Sequence, residues 1–82
     1  MDKILIVEDD RRVQKALRRL FETEGYAVDS GFDGSAGLEA ARTAPVAAVV
    51  LDLRLPAMSG RDVCREIKTS NPNTPVIILS AM

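Results

Sequence analysis

In two short stretches of the sequence, an apolar run ends in acidic residues. Ile4–Val7 leads directly into three acids, Glu8–Asp10, and Ala47–Leu51 leads directly into Asp52. Carboxylate oxygens are the ligands that Mg²⁺ prefers, and a cation would offset the mutual repulsion of grouped acids. A carboxylate held beside Mg²⁺ can also attack phosphorus as a nucleophile. If the two runs meet in space, these residues predict a magnesium site with a carboxylate that accepts phosphate.

The segments around these acids alternate between strand and helix patterns. A helix is predicted after Asp10, because apolar residues recur at helical spacing and Gly25 provides a stop. Its apolar positions are Val13, Ala16, Leu17, Leu20 and Phe21. The later predicted elements are a strand at Tyr26–Ser30, a helix at Gly37–Arg42, a strand at Ala47–Leu51, a helix at about 61–70 and a strand at Pro75–Leu79.

This β-α-β-α-β-α-β order, with continuous apolar strands, predicts a parallel sheet covered by helices on both faces. In open sheets of this kind, ligands bind beyond the carboxyl ends of the strands. The acids Glu8–Asp10 and Asp52, together with Ser80 after the last predicted strand, are therefore expected to converge at one edge. A hydroxyl such as that of Ser80 would suit a hydrogen bond to an added phosphoryl group.

Helix capping is the alternative explanation for the first three acids. Acids in a first helical turn complement the helix dipole, and we assign Asp10 mainly to that role. For Glu8 and Asp9 taken alone, capping and metal binding explain the residue types equally well. Asp52 follows five apolar residues and precedes Leu53, so a simple solvated acid is a less natural interpretation there.

Composition narrows the classes of function. The 82 residues suffice for one small domain, and a net charge of −1 points to neither nucleic acid nor a membrane surface. The sequence contains no His, which excludes a histidine metal site and a Ser-His-Asp triad within it. A single cysteine, Cys64, excludes an internal disulfide. No signal peptide or membrane span is predicted, so a cytoplasmic location is expected.

Three motifs together, ILIVEDD, LDLRLPAMSG and PVIILSA, resemble the receiver domain of two-component response regulators. They occur in the order and at the separations usual for that family, and the resemblance covers the whole chain. It implies a flavodoxin-like α/β fold with strand order 2-1-3-4. Residues 1–82 would then form a C-terminally truncated receiver domain that lacks the last strand and the last two helices.

The resemblance also implies roles for single residues. Asp52 matches the phosphoacceptor, Asp9 the direct carboxylate ligand of Mg²⁺, and Glu8 the second acid, which often acts through water. Arg54 matches the position whose backbone carbonyl completes the protein ligands, and Ser80 the hydroxyl residue that turns toward the phosphoryl group. The implied donor is a sensor histidine kinase, a phosphotransfer protein or a small phosphodonor. Such a domain catalyses at most its own phosphorylation and dephosphorylation.

The missing elements bear on function and assembly. Without a counterpart of the family's fifth-strand lysine, phosphotransfer is expected to be poor. The last strand, Val76–Leu79, would be an uncharged edge, which predicts self-association by edge pairing or by exchange of elements. A non-catalytic interaction or oligomerising fragment with a vestigial acidic site is therefore the alternative function. The basic side of the first helix is either a docking surface for a kinase or another acidic partner, or a solvated face.

Two other classes of function fit the sequence less well. A haloacid-dehalogenase-like phosphatase would need a second acid where Arg54 stands. A nucleotide-binding module would need a glycine-rich phosphate loop, and neither common form of that loop follows any predicted strand.

Overall fold

The computed structural model describes residues 2–79, which form four strands and three helices. In chain order these are β1 (Lys3–Val7), α1 (Arg11–Thr23), β2 (Ala27–Gly31), α2 (Gly34–Thr43), β3 (Ala48–Asp52), α3 (Gly60–Ser70) and β4 (Val76–Leu79). All neighbouring strands are parallel, and their order across the sheet is β2-β1-β3-β4. The predicted fold class and strand order are confirmed.

Each helix begins at a side chain that caps its first turn. Asp10 accepts hydrogen bonds from the backbone N–H groups of α1, and Ser59 Oγ accepts one from the Arg61 N–H of α3 at 3.1 Å. Asp33 accepts from the Ala36 N–H at 2.7 Å, so α2 begins at Gly34, three residues before the predicted start. The cap outweighs the weak helical propensity of the residues that follow it.

The helices lie on opposite faces of the sheet. α2 and α3 cover one face, where the most deeply buried side chains come from both central strands and both helices: Leu5, Val7, Ala41, Val49, Leu51, Val63 and Ile67. α1 covers the other face, where Leu17 and Phe21 pack against the buried Ile4, Ile6 and Val50. This two-sided cover is what buries the last four residues of each central strand.

The apolar side of α1 is only partly buried. Val13, Leu17 and Phe21 are half-buried, but Ala16 is exposed and Leu20 is 55% exposed. The reason is that α1 packs over β1 and β2, which leaves its far side without cover among residues 2–79. On β4, at one edge of the sheet, Ile77 is 51% exposed for the same reason.

None of the helices within residues 2–79 is both long enough and apolar enough to cross a membrane.

Candidate functional site

The register of the two central strands brings the acids together. β1 and β3 are neighbours, and Val7 pairs with Leu51. The residue after each of these is an acid, so Glu8 and Asp52 lie side by side at the carboxyl ends of β1 and β3. Carboxylate oxygens of Glu8, Asp9 and Asp52 all lie within 4.8 Å of one another. The expected convergence at the carboxyl ends of the strands is therefore present for Glu8, Asp9 and Asp52.

The three carboxylates differ in burial, and this sets their electrostatics. Glu8 is 6% exposed and Asp52 is 7% exposed, whereas Asp9 is exposed. Burial raises the pKa of Glu8 from 4.5 to about 7; the Asp10 N–H opposes this shift, while the Asp9 and Asp52 side chains add to it. Glu8 thus keeps a proton near neutral pH unless a cation replaces it.

Backbone N–H groups orient the two buried carboxylates. The Asp10 N–H donates to Glu8 Oε2 at 3.1 Å, and the Arg54 N–H donates to Asp52 Oδ1 at 3.0 Å. Asp10 points its own carboxylate the other way and accepts from the N–H groups of Arg12 and Val13 at 2.8 and 3.3 Å. Asp10 is the helix cap that the sequence indicated, and the remaining acids are left for the site.

The last predicted site residue, Ser80, lies outside the described residues. Its neighbour Leu79 ends β4 and pairs directly with Asp52. The last described residue of β4 therefore lies beside the candidate phosphoacceptor.

Sequence reasoning missed Gln14. This residue of α1 is 3% exposed, and its Nε2 lies within hydrogen-bond distance of three backbone carbonyls next to the acids. A signal was available, because Gln14 is in phase with Leu17 and Phe21 on the side of α1 that faces the sheet. Because its side chain is polar, Gln14 was not among the apolar residues that predicted this side of the helix.

The three carboxylates form a donor set that fits Mg²⁺. Among residues 2–79, the ion pairs involve other side chains, so no protein cation neutralises Glu8, Asp9 or Asp52. Oxygen-only ligands with unbalanced negative charge suit a hard divalent cation. Burial, helped by the Asp9 and Asp52 side chains, raises the pKa of Glu8, and a cation bound beside it would act in the opposite direction.

Comparison with known proteins supports the same conclusion. The family model for the response regulator receiver domain matches residues 4–82. The response regulator ArlR of Staphylococcus saprophyticus is 42% identical over 81 residues, which cover 99% of this chain and 36% of the relative. The chain thus spans about a third of the length of the curated relatives it matches.

Several solved structures have a fold closely similar to that of this chain. The response regulator TrrA from Thermotoga maritima, in complex with Mg²⁺-BeF, is 29% identical with a TM-score of 0.95, covering all of this chain and 71% of that one. A complex of histidine kinase ThkA with TrrA matches with a TM-score of 0.92 at 30% identity, over 99% of this chain and 70% of that one. On these matches, and on the acids at the ends of β1 and β3, the chain belongs to the receiver domain family of two-component response regulators.

Proposed function

We propose that this domain accepts a phosphoryl group on Asp52 in a Mg²⁺-dependent reaction, as part of two-component signalling. The observation that carries the proposal is the grouping of the Glu8, Asp9 and Asp52 carboxylates within 4.8 Å at the carboxyl ends of two neighbouring strands. A single carboxylate at a strand end would be unremarkable, but three with no cationic partner among the described residues repel one another, and a cation would offset that repulsion.

The proposed metal ligands are the side chains of Glu8, Asp9 and Asp52 and the backbone carbonyl of Arg54. When bound, Mg²⁺ would neutralise charge on the transferring phosphoryl oxygens. Asp52 supplies the nucleophile: its carboxylate oxygen forms the new bond to phosphorus as the bond between phosphorus and the donor breaks. The Arg54 N–H holds Asp52 Oδ1, which orients the carboxylate for this attack. Ser80 would then donate a hydrogen bond to the phosphoryl group.

The direct test is phosphoryl uptake by the Asp52→Asn variant. We expect a small phosphodonor with Mg²⁺ to add the mass of one phosphoryl group to the native chain and nothing to the variant. Asp62→Asn is the matched control, because Asp62 is an exposed carboxylate on α3 away from the cluster. Equal labelling of the native chain and Asp52→Asn would overturn the assignment.

The only turnover that we propose is the uptake and loss of the phosphoryl group that the domain itself carries. A receiver takes up at most one phosphoryl group per chain and then loses it, whereas a phosphatase would release phosphate repeatedly. Incubation with small phosphate esters distinguishes the two, because sustained release would favour the enzyme class. The place of action that fits this signalling role is the cytoplasm.

A histidine kinase is the proposed partner, and the exposed basic face of α1 is the proposed docking surface. This face consists of Arg11, Arg12, Lys15 and Arg19. It begins directly after the acidic site, so a partner bound there could place its phosphohistidine beside Asp52. Exchanging Lys15 and Arg19 for Glu should slow transfer from the kinase but leave labelling by a small phosphodonor unchanged. The same exchange at Arg42 on α2 is the control.

Self-association is a second proposal, supported by the exposed apolar residues of β4. Ile77 and Ile78 are 51% and 38% exposed, and β4 pairs with a single neighbour among the described residues. A strand of this kind can pair with a second copy or exchange with it. Sedimentation of the 82-residue chain at micromolar concentration tests this. A concentration-independent monomer would contradict the proposal, while a stable dimer that takes up no phosphate would favour an interaction fragment with a vestigial site.

A further inference from the structure

Gln14 makes the most concentrated set of side-chain hydrogen bonds near the site. Its Nε2 lies 2.8 Å from the Ile6 carbonyl oxygen, 3.1 Å from that of Glu8 and 2.9 Å from that of Gly31. The Ile6 carbonyl lies near the end of β1, the Glu8 carbonyl lies just after that strand, and the Gly31 carbonyl lies at the end of β2. One amide group on α1 therefore ties together the carboxyl ends of two strands.

The Glu8 carbonyl is the important member of this set. It belongs to the peptide unit that joins Glu8 to Asp9, the two acids proposed to bind the metal. On the other side of Glu8, its N–H donates to the Gly31 carbonyl at 3.0 Å, and that same carbonyl also faces Gln14 Nε2. Holding the Glu8 carbonyl fixes the plane of the peptide unit, and with it the directions in which the two carboxylates leave the backbone.

Packing alone does not account for a glutamine at this position. Gln14 is in phase with Leu17 and Phe21, and an apolar side chain would bury equally well there without desolvating an amide. Its Oε1 is buried and has no hydrogen-bond partner within the described residues, which is a net cost to the fold. What the amide provides in return is the set of donors that it directs at the strand ends.

We propose that Gln14 is a positioning residue for the metal site, acting through the Glu8–Asp9 peptide unit. The proposal rests on the proposed Mg²⁺ function of these acids. Residues that orient metal ligands without touching the metal commonly change affinity by about 10–100-fold when replaced. Mg²⁺ demands near-octahedral ligand geometry, whereas Ca²⁺ tolerates irregular geometry. Loss of the positioning contact should therefore weaken Mg²⁺ binding more than Ca²⁺ binding.

The test variant is Gln14→Met, which keeps the length of the side chain and removes both donors. Calorimetric titration should give a Kd for Mg²⁺ that is about tenfold higher than that of the native protein, with a clearly smaller change for Ca²⁺. Leu17→Ala is the matched control, since it loosens the packing of α1 without touching the strand carbonyls. It should lower stability and leave the ratio of the two affinities unchanged.

A measurement on the native protein covers the case in which Gln14→Met does not fold. Coupling between two sites is reciprocal, so Mg²⁺ saturation should shift the NMR signals of the Gln14 side-chain amide along with the Asp9 backbone amide. Unshifted Gln14 signals beside shifted Asp9 signals would overturn the proposal. So would equal weakening of Mg²⁺ and Ca²⁺ binding in Gln14→Met. Either result leaves the proposed function standing if Asp52 still takes up phosphate, whereas absence of Mg²⁺ binding to the native protein removes both proposals.

Discussion

The two loops that carry the acids are built in different ways. The first junction, residues 8–10, joins β1 to α1 within three residues and is held by polar contacts: the Gln14 amide on the Glu8 carbonyl and the Asp10 N–H on Glu8 Oε2. The second junction, residues 53–59, joins β3 to α3. It contains a tight turn in which the Met58 N–H donates to the Pro56 carbonyl at 2.7 Å, with Ala57 between them at a φ of 67°.

This contrast separates two kinds of strain beside one site. In the first junction the strain is electrostatic, because a buried carboxyl lies beside two further acids. In the second it is conformational, because a residue with a Cβ occupies the left-handed region in a rare kind of turn. A cation would relieve the first kind and a change of residue type the second.

The largest effect is expected where the second junction enters α3. A Cβ added at Gly60 would lie 2.4 Å from Leu53 Cα and 2.5 Å from the Asp52 carbonyl oxygen, and both of these are backbone atoms. Gly60→Ala should therefore cost about 3 kcal/mol or more in the free energy of unfolding, measured by urea denaturation. Gly25→Ala is the control: with open space around it and a φ of 95°, it should lose only about 1 kcal/mol. Native stability of Gly60→Ala would mean that α3 can move away from the site at little cost.

The next effect concerns the first junction and depends on pH. Folded Glu8 keeps its proton up to about pH 7, whereas the unfolded chain releases it near 4.5. The folded state therefore binds more protons in this window, and stability falls as pH rises through it. Glu8→Gln should remove that fall and be about 2–3 kcal/mol more stable than the native protein at pH 8 without Mg²⁺. Glu66→Gln, at an exposed carboxylate, should change neither the pH dependence of stability nor the stability at pH 8. Parallel pH profiles of native protein and Glu8→Gln would contradict the electrostatic account.

A smaller effect tests the turn in the second junction. Ala57→Gly removes the Cβ from the left-handed conformation and should stabilise the fold by about 1 kcal/mol. Ala36→Gly, in the exposed part of α2, should do the opposite by a similar amount because glycine is unfavourable inside a helix. Thermal unfolding followed by circular dichroism resolves both changes. A loss of stability in Ala57→Gly would show that the turn is not strained.

The smallest effect compares the caps at the ends of the two junctions. Asp10 accepts two backbone hydrogen bonds and Ser59 accepts one, so Asp10→Ala should cost about 0.5 kcal/mol more than Ser59→Ala. The same unfolding measurements apply. If Asp10→Ala is the milder change, relief of repulsion with Glu8 outweighs the loss of the cap.

The sequence predicted most of the fold because its apolar runs are continuous and its turns carry strong signals. Strand order and the grouping of Glu8, Asp9 and Asp52 were expected and are present. The start of α2 was missed because the Asp33 cap precedes residues with no apolar period. Periodicity identified the apolar side of α1, but it could not show that the sheet does not extend beneath Ala16 and Leu20.

The site was less predictable than the fold in one respect. Glu8 and Asp52 were recognised by residue type, but the degree of burial that perturbs Glu8 depends on how α1 and the strand ends pack. The position of Gln14 depends on the same packing, and its three carbonyl contacts join residues that are 6 to 17 positions apart in the chain. Interactions of this range follow from the assembled sheet, and no local pattern encodes them.

The exposed apolar residues Leu20, Ile77 and Ile78 have a calorimetric consequence. Apolar surface that already contacts water in the native state is not newly hydrated on unfolding, so it adds nothing to the heat capacity change or to the denaturant m-value. Both quantities should therefore be lower for this chain than its length alone suggests, and its stability should vary only gently with temperature. Association that covers those residues would raise both quantities.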